Sequence, residues 1–262
     1  MKRDNIRKKG FRRGIYILPN LFTSFNILCG FYAVIAAIDG EYVAAATAII
    51  IAAVFDLLDG KIARITNTSS RFGVEYDSLA DLISFGLAPG LMFYLWALKP
   101  LGRIGWLAAF LFMTCGALRL ARFNTYTGTI SSEYFIGLPI PAAGGMVATT
   151  VLFCHKFGIS GDANPVVILI MLYTLAFLMV STFKYSSFKK NPKLSKKMNF
   201  NVLVTVVLIL IFIAAQPSIT LFLLGLTYII SGPITTIKYH KLIKQQKQPE
   251  FHETERHDTK PV

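Results

Sequence analysis

Long apolar runs separated by short polar breaks fill most of this 262-residue chain. Each run has roughly 20 residues, the length that an α-helix needs to cross the hydrocarbon core of a bilayer. A single run of this kind could be a buried helix of a water-soluble protein, but a series of them favours membrane spans. The pattern predicts eight transmembrane helices, at 17–38, 42–63, 76–98, 104–123, 139–158, 164–183, 200–216 and 218–237.

Composition supports a membrane protein and excludes an ordinary water-soluble domain. Hydrophobic residues make up 54% of the chain and charged residues only 16%, against about 25% charged residues in a typical soluble domain. The net charge of +13 does not indicate a nucleic-acid partner, because the lysines and arginines gather at the termini and in alternate loops. Basic residues mark the cytosolic side of membrane proteins, so eight spans place both termini in the cytosol. We expect an integral membrane protein, in the inner membrane if the source is bacterial.

The same pattern divides the chain into five parts. The basic N-terminal segment is either a short interfacial helix on anionic lipid or an anchor that only fixes topology. Gln216 and Pro217 alone separate the last two spans, which predicts a tight hairpin. The tail is polar without apolar periodicity, which predicts disorder. The predicted parts are a basic N-terminal segment (1–16), a catalytic core of six spans (17–183), a basic cytosolic loop (184–199), two further spans (200–237) and a cytosolic tail (238–262).

Four aspartates lie in or beside the second and third spans. Asp56 and Asp59 are three residues apart, and Asp77 and Asp81 are four apart, so each pair lies on one face of its helix. Asp56 lies about 21 Å along the helix from Tyr42, about two-thirds of the way across a core about 30 Å thick. A short connection lets the two faces meet in the cytosolic third of the membrane. Ionisable side chains at this depth are costly, so they predict a functional site.

These residue types suit a phosphate substrate bound through divalent cations. Hard divalent cations prefer carboxylate oxygens, and Mg²⁺ usually takes a few carboxylates together with substrate phosphates. Two ions between the acid pairs could hold a diphosphate and stabilise its displacement. Arg64 supplies a fixed charge for a phosphate, and Gly60 and Ala63 let a ligand approach closely. A site at this depth suits a substrate with a nucleotide diphosphate head and two acyl chains.

Two other interpretations of the aspartates stay open at this point. They could be helix-end charges paired with Lys61, Arg64 and Arg71, although four acids at helical spacing favour a shared site. They could instead belong to a divalent-cation or proton transporter, because acid chains inside membranes also serve ion transport. Transporters usually place their site near the midplane within broken helices or repeats, whereas these acids lie toward one face.

The spacing D-x2-D-G-x2-A-R-x8-G-x3-D-x3-D, from Asp56 to Asp81, resembles the motif of the CDP-alcohol phosphatidyltransferases at every fixed position. Four further stretches also resemble the integral-membrane phosphatidylserine synthases: 19–31, 77–90, 116–124 and 135–145. The resemblance implies an all-α, polytopic fold of about eight transmembrane helices, and a homodimer. It implies transfer of the phosphatidyl group from CDP-diacylglycerol to L-serine, with release of CMP. The alternative is a sister enzyme that uses glycerol phosphate, inositol phosphate or another alcohol.

The resemblance also implies a role for each residue of the motif. Asp56, Asp59 and Asp77 would bind Mn²⁺ or Mg²⁺, with two ions as the expected number. Asp81 would complete the metal site and act as the general base for direct attack by the alcohol. The motif residues expected to bind CDP-diacylglycerol are Asp56, Gly60, Ala63, Arg64, Gly73 and Asp77. Asn20 and Thr23, polar groups near the cytosolic end of the first span, are added to this set.

The residues for the acceptor alcohol are less sharply indicated. Arg119 and Arg122 lie three residues apart at the cytosolic end of the fourth span, and an arginine fork suits a carboxylate or a phosphate. They are either substrate ligands or helix-end anchors. Asn26 lies deeper in the first span, where it either binds substrate or hydrogen-bonds a neighbouring helix. The predicted residues for serine or phosphate are Asn26, Ser78, Arg119, Arg122 and Asn124.

Overall fold

The computed structural model describes residues 2–66, 70–126, 134–186 and 200–247. Most of these residues are helical, and two short strands pair with each other in antiparallel orientation. The α-helices are α1 (Lys2–Ile38), α2 (Tyr42–Ile65), α3 (Arg71–Asp81), α4 (Ala88–Phe93), α5 (Arg103–Tyr126), α6 (Ile140–Lys156), α7 (Pro165–Val180), α8 (Phe200–Ala215) and α9 (Pro217–Lys247). The strands are β1 (Tyr134–Ile136) and β2 (Lys184–Ser186), with Phe135 opposite Tyr185.

The third apolar run forms one continuous helical rod over Arg71–Leu101. Within it, α3 continues into a π-helical segment (Leu82–Leu87), then α4, a second π-helical segment (Tyr94–Leu98) and a 3₁₀ turn (Lys99–Leu101). The rod begins at Arg71, whereas the sequence predicted a start near residue 76. The reason is a cap: the Ser70 hydroxyl accepts a 3.0 Å hydrogen bond from the amide of Gly73 and satisfies one of the first free amides of the helix.

The all-α membrane architecture is confirmed, but the number of eight spans is not. Within the described residues, five helices are long and apolar enough to cross a bilayer. The other three, α6, α7 and α8, have 17, 16 and 16 residues. For α7 the difference lies at its end, because the backbone becomes extended at Ser181 and the helix stops at Val180. The five candidate spans are Leu18–Ile38, Tyr42–Ile65, Arg71–Leu101, Arg103–Thr125 and Pro217–Thr236.

The ends of the chain differ from the predicted division. Helix α1 runs from Lys2 through Pro19 to Ile38, so the basic N-terminal segment and the first span form one helix. Helix α9 continues beyond the predicted end of the last span, as far as Lys247. The rest of the tail and most of the predicted basic loop, 187–199, lie outside the described residues. Gln216 alone separates α8 from α9.

Small residues control how the helices approach one another near the acids. The α1–α2 contact is lined by buried alanines, which let two backbones come close in a membrane. A side chain on Gly30 of α1 would overlap Ser84, and a side chain on Gly144 of α6 would overlap the backbone of Phe85. The π-helical segment directly after Asp81 therefore lies between Gly30 of α1 and Gly144 of α6, with no room for a side chain at either glycine.

Candidate active site

The structure brings three of the four aspartates together. Asp56 and Asp59 project from α2 and Asp77 projects from α3, and one carboxylate oxygen from each lies within 4.8 Å of the others. Asp59 is buried, and the other two are half-buried. Helical spacing places the α2 pair on one face, and Asp77 of α3 lies close to that face. These three aspartates are called the acid triad below.

Asp81 lies beside the acid triad, in the last turn of α3. Its side chain is only 7% exposed, and it lies within electrostatic range of all three triad carboxylates. The side-chain amide Nδ2 of Asn26 in α1 donates a hydrogen bond to Asp81 Oδ1 over 3.4 Å. One oxygen of this carboxylate is thus held by a neighbouring helix.

Helix α1 supports the acids through two side chains. The Thr23 hydroxyl donates to Asp59 Oδ2 at 2.9 Å and also lies 3.1 Å from the carbonyl oxygen of Pro19. Asn26 is fully buried, and its backbone carbonyl accepts a 2.9 Å hydrogen bond from Ser84 Oγ. Asn26 therefore makes contacts with the third helical segment, and its Oδ1 has no hydrogen-bond partner among the described residues.

The small residues of the motif lie around the acid triad in different surroundings. The position where a Gly60 side chain would lie has no atom within 4 Å, so open space adjoins the acids there. At Gly73, the corresponding position lies 3.2 Å from Ser70 Oγ and 3.4 Å from Asn20 Oδ1, so α1 approaches α3 closely. Ala63 is half-buried, and Arg64 is exposed in the last turn of α2.

The two candidate arginines have different environments. Arg119 in α5 is 8% exposed and lies within electrostatic range of Asp81 and of Tyr228 in α9. Its Nε is buried with no hydrogen-bond partner among the described residues. Arg122 instead donates to the carbonyl oxygens of Val180 at 3.1 Å and Ser181 at 3.4 Å, so it caps the end of α7.

The remaining acceptor-side candidates connect two helices. Asn124 Nδ2 donates to Ser78 Oγ at 3.1 Å and to Glu75 Oε2 at 3.2 Å, joining the end of α5 to α3. Sequence reasoning missed Glu75, and it also missed the 2.9 Å hydrogen bond between Ser24 and Tyr76 that joins α1 to α3. The sequence positions could have indicated this contact. Ser24 lies four residues after Asn20, on the same face of the helix, and Tyr76 directly precedes Asp77.

Sequence reasoning also missed an aromatic contact beside the acids. Phe55 precedes Asp56 on α2, and its ring stacks on Phe25 of α1 with 5.4 Å between centroids. The ring of Phe22 contacts the same Phe55 ring, with 6.3 Å between centroids. This aromatic group fixes α2 against α1 one residue from the acid triad.

The acid triad fits a hard divalent cation. Three carboxylates this close repel one another unless positive charge neutralises them. Asp77 Oδ1 is also buried without a hydrogen-bond partner among the described residues, and a buried unpaired carboxylate oxygen is costly. A cation bound between the three side chains would satisfy that oxygen and remove the repulsion, with the oxygen ligands that Mg²⁺ and Mn²⁺ prefer.

Comparison with known families agrees with this site. The sequence model of the family described as CDP-alcohol phosphatidyltransferase matches residues 16–180. The chain belongs to the CDP-alcohol phosphatidyltransferase family. The match covers most of α1, all of α2 to α7 and all four aspartates, and it leaves α8 and α9 outside.

Curated relatives of this phosphatidyltransferase carry specific names. A Helicobacter pylori (strain ATCC 700392 / 26695) protein named CDP-diacylglycerol–serine O-phosphatidyltransferase is 39% identical over 84% of this chain and 91% of its own length. A Bacillus subtilis (strain 168) protein of the same name is 36% identical over 66% of this chain and 92% of its own length. A Methanothermobacter thermautotrophicus protein named archaetidylserine synthase is 36% identical over 64% of this chain and 69% of its own length.

Proposed function

We propose that this phosphatidyltransferase transfers the phosphatidyl group of CDP-diacylglycerol to the hydroxyl of L-serine, forming phosphatidylserine and CMP. The observation that carries the proposal is the 39% identity, over 84% of the chain, to a relative named for this reaction. The acid triad within the matched region supports it, because transfer from a diphosphate requires charge neutralisation at the reacting phosphorus.

The acid triad is proposed as the metal site, with Asp81 completing it. Mn²⁺ or Mg²⁺ is the expected cation, and two ions are the expected number. When bound, such ions neutralise the diphosphate oxygens and stabilise charge on the attacking and leaving oxygens. Thr23 fixes the rotamer of Asp59 through its 2.9 Å hydrogen bond and so presents the other carboxylate oxygen toward the site.

The donor lipid is proposed to bind on the open side of the acid triad. The space beside Gly60 admits the cytidine diphosphate head next to the carboxylates. Ala63 and Arg64 continue this side of α2 toward its end, where the exposed guanidinium can pair with a phosphate. Asn20 of α1 lies beside Gly73 of α3, and these two residues bound the same region.

Asp81 is proposed as the general base. Asn26 holds Oδ1, which leaves Oδ2 to accept the proton of the serine hydroxyl as that oxygen attacks phosphorus. The bond from serine oxygen to phosphorus forms while the bond from phosphorus to the CMP oxygen breaks, so no covalent enzyme intermediate is needed. Arg119 lies within electrostatic range of Asp81 and is proposed to bind on the acceptor side.

The arrangement in the cell is part of the same proposal. With eight spans, the distribution of basic residues supports a cytosolic position for the acids and both termini, with basic segments available to anionic lipid. Residues 17–183 form the catalytic unit, since the family match and the acids fall there. The protein is proposed to act as a homodimer, on the basis of its family.

One assay tests the reaction and its alternatives. Purified full-length protein is incubated with CDP-diacylglycerol, Mn²⁺ or Mg²⁺, and each candidate alcohol, and CMP release and the lipid product are measured. CMP release and phosphatidylserine formation only with L-serine support the proposal. Release with glycerol phosphate or inositol phosphate instead identifies a sister enzyme. No release with any alcohol, together with metal or proton flux in liposomes, identifies a transporter.

A further inference from the structure

The C-terminal helix α9 lies outside the family match, yet it packs against α6 and β2. Phe222 of α9 stacks on Phe153 of α6, with 4.5 Å between ring centroids. Gly225 lies against Met146, whose sulfur would be 3.1 Å from a side chain at that position. A loosely attached extra span would not need this close fit, so α9 has a fixed position beside the catalytic unit.

Tyr185 of β2 fixes the next turns of α9. Its ring is completely buried and lies 5.6 Å from the ring of Tyr228, tilted by 36°. Its hydroxyl donates to the carbonyl oxygen of Ile229 over 3.4 Å, and Gly232 leaves the space that the ring fills. Burial, and then the neighbouring Tyr228, raise the pKa of Tyr185 to about 12, so the hydroxyl stays a neutral donor.

Tyr228, held in this way, lies within electrostatic range of Arg119. Arg119 and Tyr228 interact electrostatically, and Arg119 interacts in the same way with Asp81. The Nε of Arg119 has no hydrogen-bond partner among the described residues. A guanidinium that is more than nine-tenths buried with an unpaired nitrogen is costly unless an anion binds there. This interaction therefore relates a helix outside the family match to the proposed acceptor side of the site.

We infer that Arg119 and Tyr228 together form the subsite for the carboxylate of the acceptor amino acid. Arg119 supplies the charge and the planar fork that fit a carboxylate, and the Tyr228 hydroxyl supplies a neutral polar group on its α9 side. The inference rests on the proposed serine-transfer function and assigns part of acceptor recognition to α9.

Tyr228 is expected to strengthen acceptor binding rather than enable the reaction. One relative named for serine transfer aligns with only 66% of this chain, over 92% of its own length. Transfer to serine therefore does not require all of the present sequence. Loss of the Tyr228 hydroxyl should therefore act on the KM for serine and leave turnover at saturating serine nearly unchanged.

The test compares Tyr228→Phe with the wild-type protein and with Tyr173→Phe, an exposed tyrosine of α7. Initial rates are measured while L-serine and CDP-diacylglycerol are varied separately. We expect Tyr228→Phe to raise the KM for serine about 10-fold, because the variant lacks the hydroxyl that would donate a hydrogen bond to the serine carboxylate. Its kcat and its KM for CDP-diacylglycerol should stay within about twofold of wild type, and Tyr173→Phe should change nothing.

A second acceptor separates carboxylate recognition from a structural effect. Serinol keeps the hydroxyl and the ammonium of serine but has a second hydroxymethyl group in place of the carboxylate. Tyr228→Phe should lower kcat/KM for serine while leaving kcat/KM for serinol unchanged, and Arg119→Lys should lower the ratio of the two further. An equal fall for both acceptors, or an unchanged KM for serine, overturns the inference.

The donor phosphate is the other anion that this pair could bind. A rise in the KM for CDP-diacylglycerol alone would assign the pair to that phosphate and would also overturn the inference. Failure of the proposed function is seen separately, in the wild-type protein, as absence of serine-dependent CMP release. If Tyr228→Phe does not purify as a folded protein, Tyr185→Phe removes the hydroxyl that fixes α9 and should raise the KM for serine in the same direction.

Discussion

Asn26 in α1 donates a hydrogen bond to Asp81 in α3 across 3.4 Å, and both side chains are buried. The contact orients the proposed base from a helix that carries none of the four aspartates. It also gives the Nδ2 of Asn26 a partner deep in the first span, where an unpaired donor would be costly, while Oδ1 of the same amide has no partner among the described residues.

Removal of the Asn26 amide should slow the chemical step. Asn26→Ala leaves Asp81 without its orienting donor, and hydrogen bonds to charged groups contribute about 1.5–3 kcal/mol, so kcat should fall about 10- to 100-fold. The KM for CDP-diacylglycerol should change little. Ser84→Ala is the control, because it removes only the hydrogen bond to the Asn26 carbonyl oxygen. An equal loss of kcat in both variants would point to general loosening of the helices.

Asp81→Asn should nearly abolish CMP release while the nucleotide lipid still binds. The substitution keeps the shape of the side chain but removes its ability to take the proton of the acceptor hydroxyl. Binding of CDP-diacylglycerol can be followed by its effect on thermal unfolding, independently of turnover. Substantial residual turnover would exclude Asp81 as the base.

The hydroxyl of Thr23 should tune metal affinity. Thr23→Val keeps the volume but removes the 2.9 Å donor to Asp59, and groups that orient a metal ligand typically contribute about 10- to 100-fold in affinity or activity. The Mn²⁺ concentration that gives half-maximal activity should rise accordingly. Thr23→Ser keeps a hydroxyl and should stay close to wild type; a rise as large as that of the valine variant would contradict the role.

The mutual repulsion of the acid triad should be visible without substrate. In metal-free buffer, Asp77→Asn removes one of three carboxylates that lie within 4.8 Å of one another. Its Tm should rise by about 2–4 °C for each kcal/mol of repulsion relieved. Added Mn²⁺ should raise the Tm of wild type and have a much smaller effect on the variant. A Tm that falls in metal-free buffer would indicate that Asp77 is compensated within the protein.

The open space beside Gly60 should be needed by the donor and not by the fold. Gly60→Ala meets no atom within 4 Å and replaces glycine inside a helix, which stabilises by about 0.5–1 kcal/mol in general. We expect a higher Tm together with a raised KM for CDP-diacylglycerol. Gly145→Ala in α6 is the matched control, since its side chain also meets nothing within 4 Å. An unchanged KM for Gly60→Ala would move the donor site elsewhere.

The acid triad could be predicted because local rules determine it. Spacings of three and four residues place Asp56 with Asp59 and Asp77 with Asp81 on shared helix faces, and a short connection leaves few ways to arrange two adjacent helices. The start of the third rod could not be placed as well. There, the cap at Ser70 extends α3 into a polar stretch that hydropathy assigns to a loop.

The contacts of α9 lay beyond sequence reasoning for a different reason. Tyr185 and Tyr228 meet across a long separation in the chain, in a segment without the recognisable motif of the core. The pairing of β1 with β2 involves three residues on each strand, too few for an alternating pattern to stand out. Such contacts depend on tertiary packing, and periodicity carries no information about them.

Gly30 and Gly144 pack on either side of Ser84 and Phe85 and so limit movement just after Asp81. A side chain at either glycine would overlap these residues, so the backbone of this turn has little room to shift. The backbone that carries the proposed base is therefore in place before the substrate arrives, which lowers the cost of reorganisation in the transition state. We expect the lipid and the amino acid to bind beside a base whose backbone position is already set.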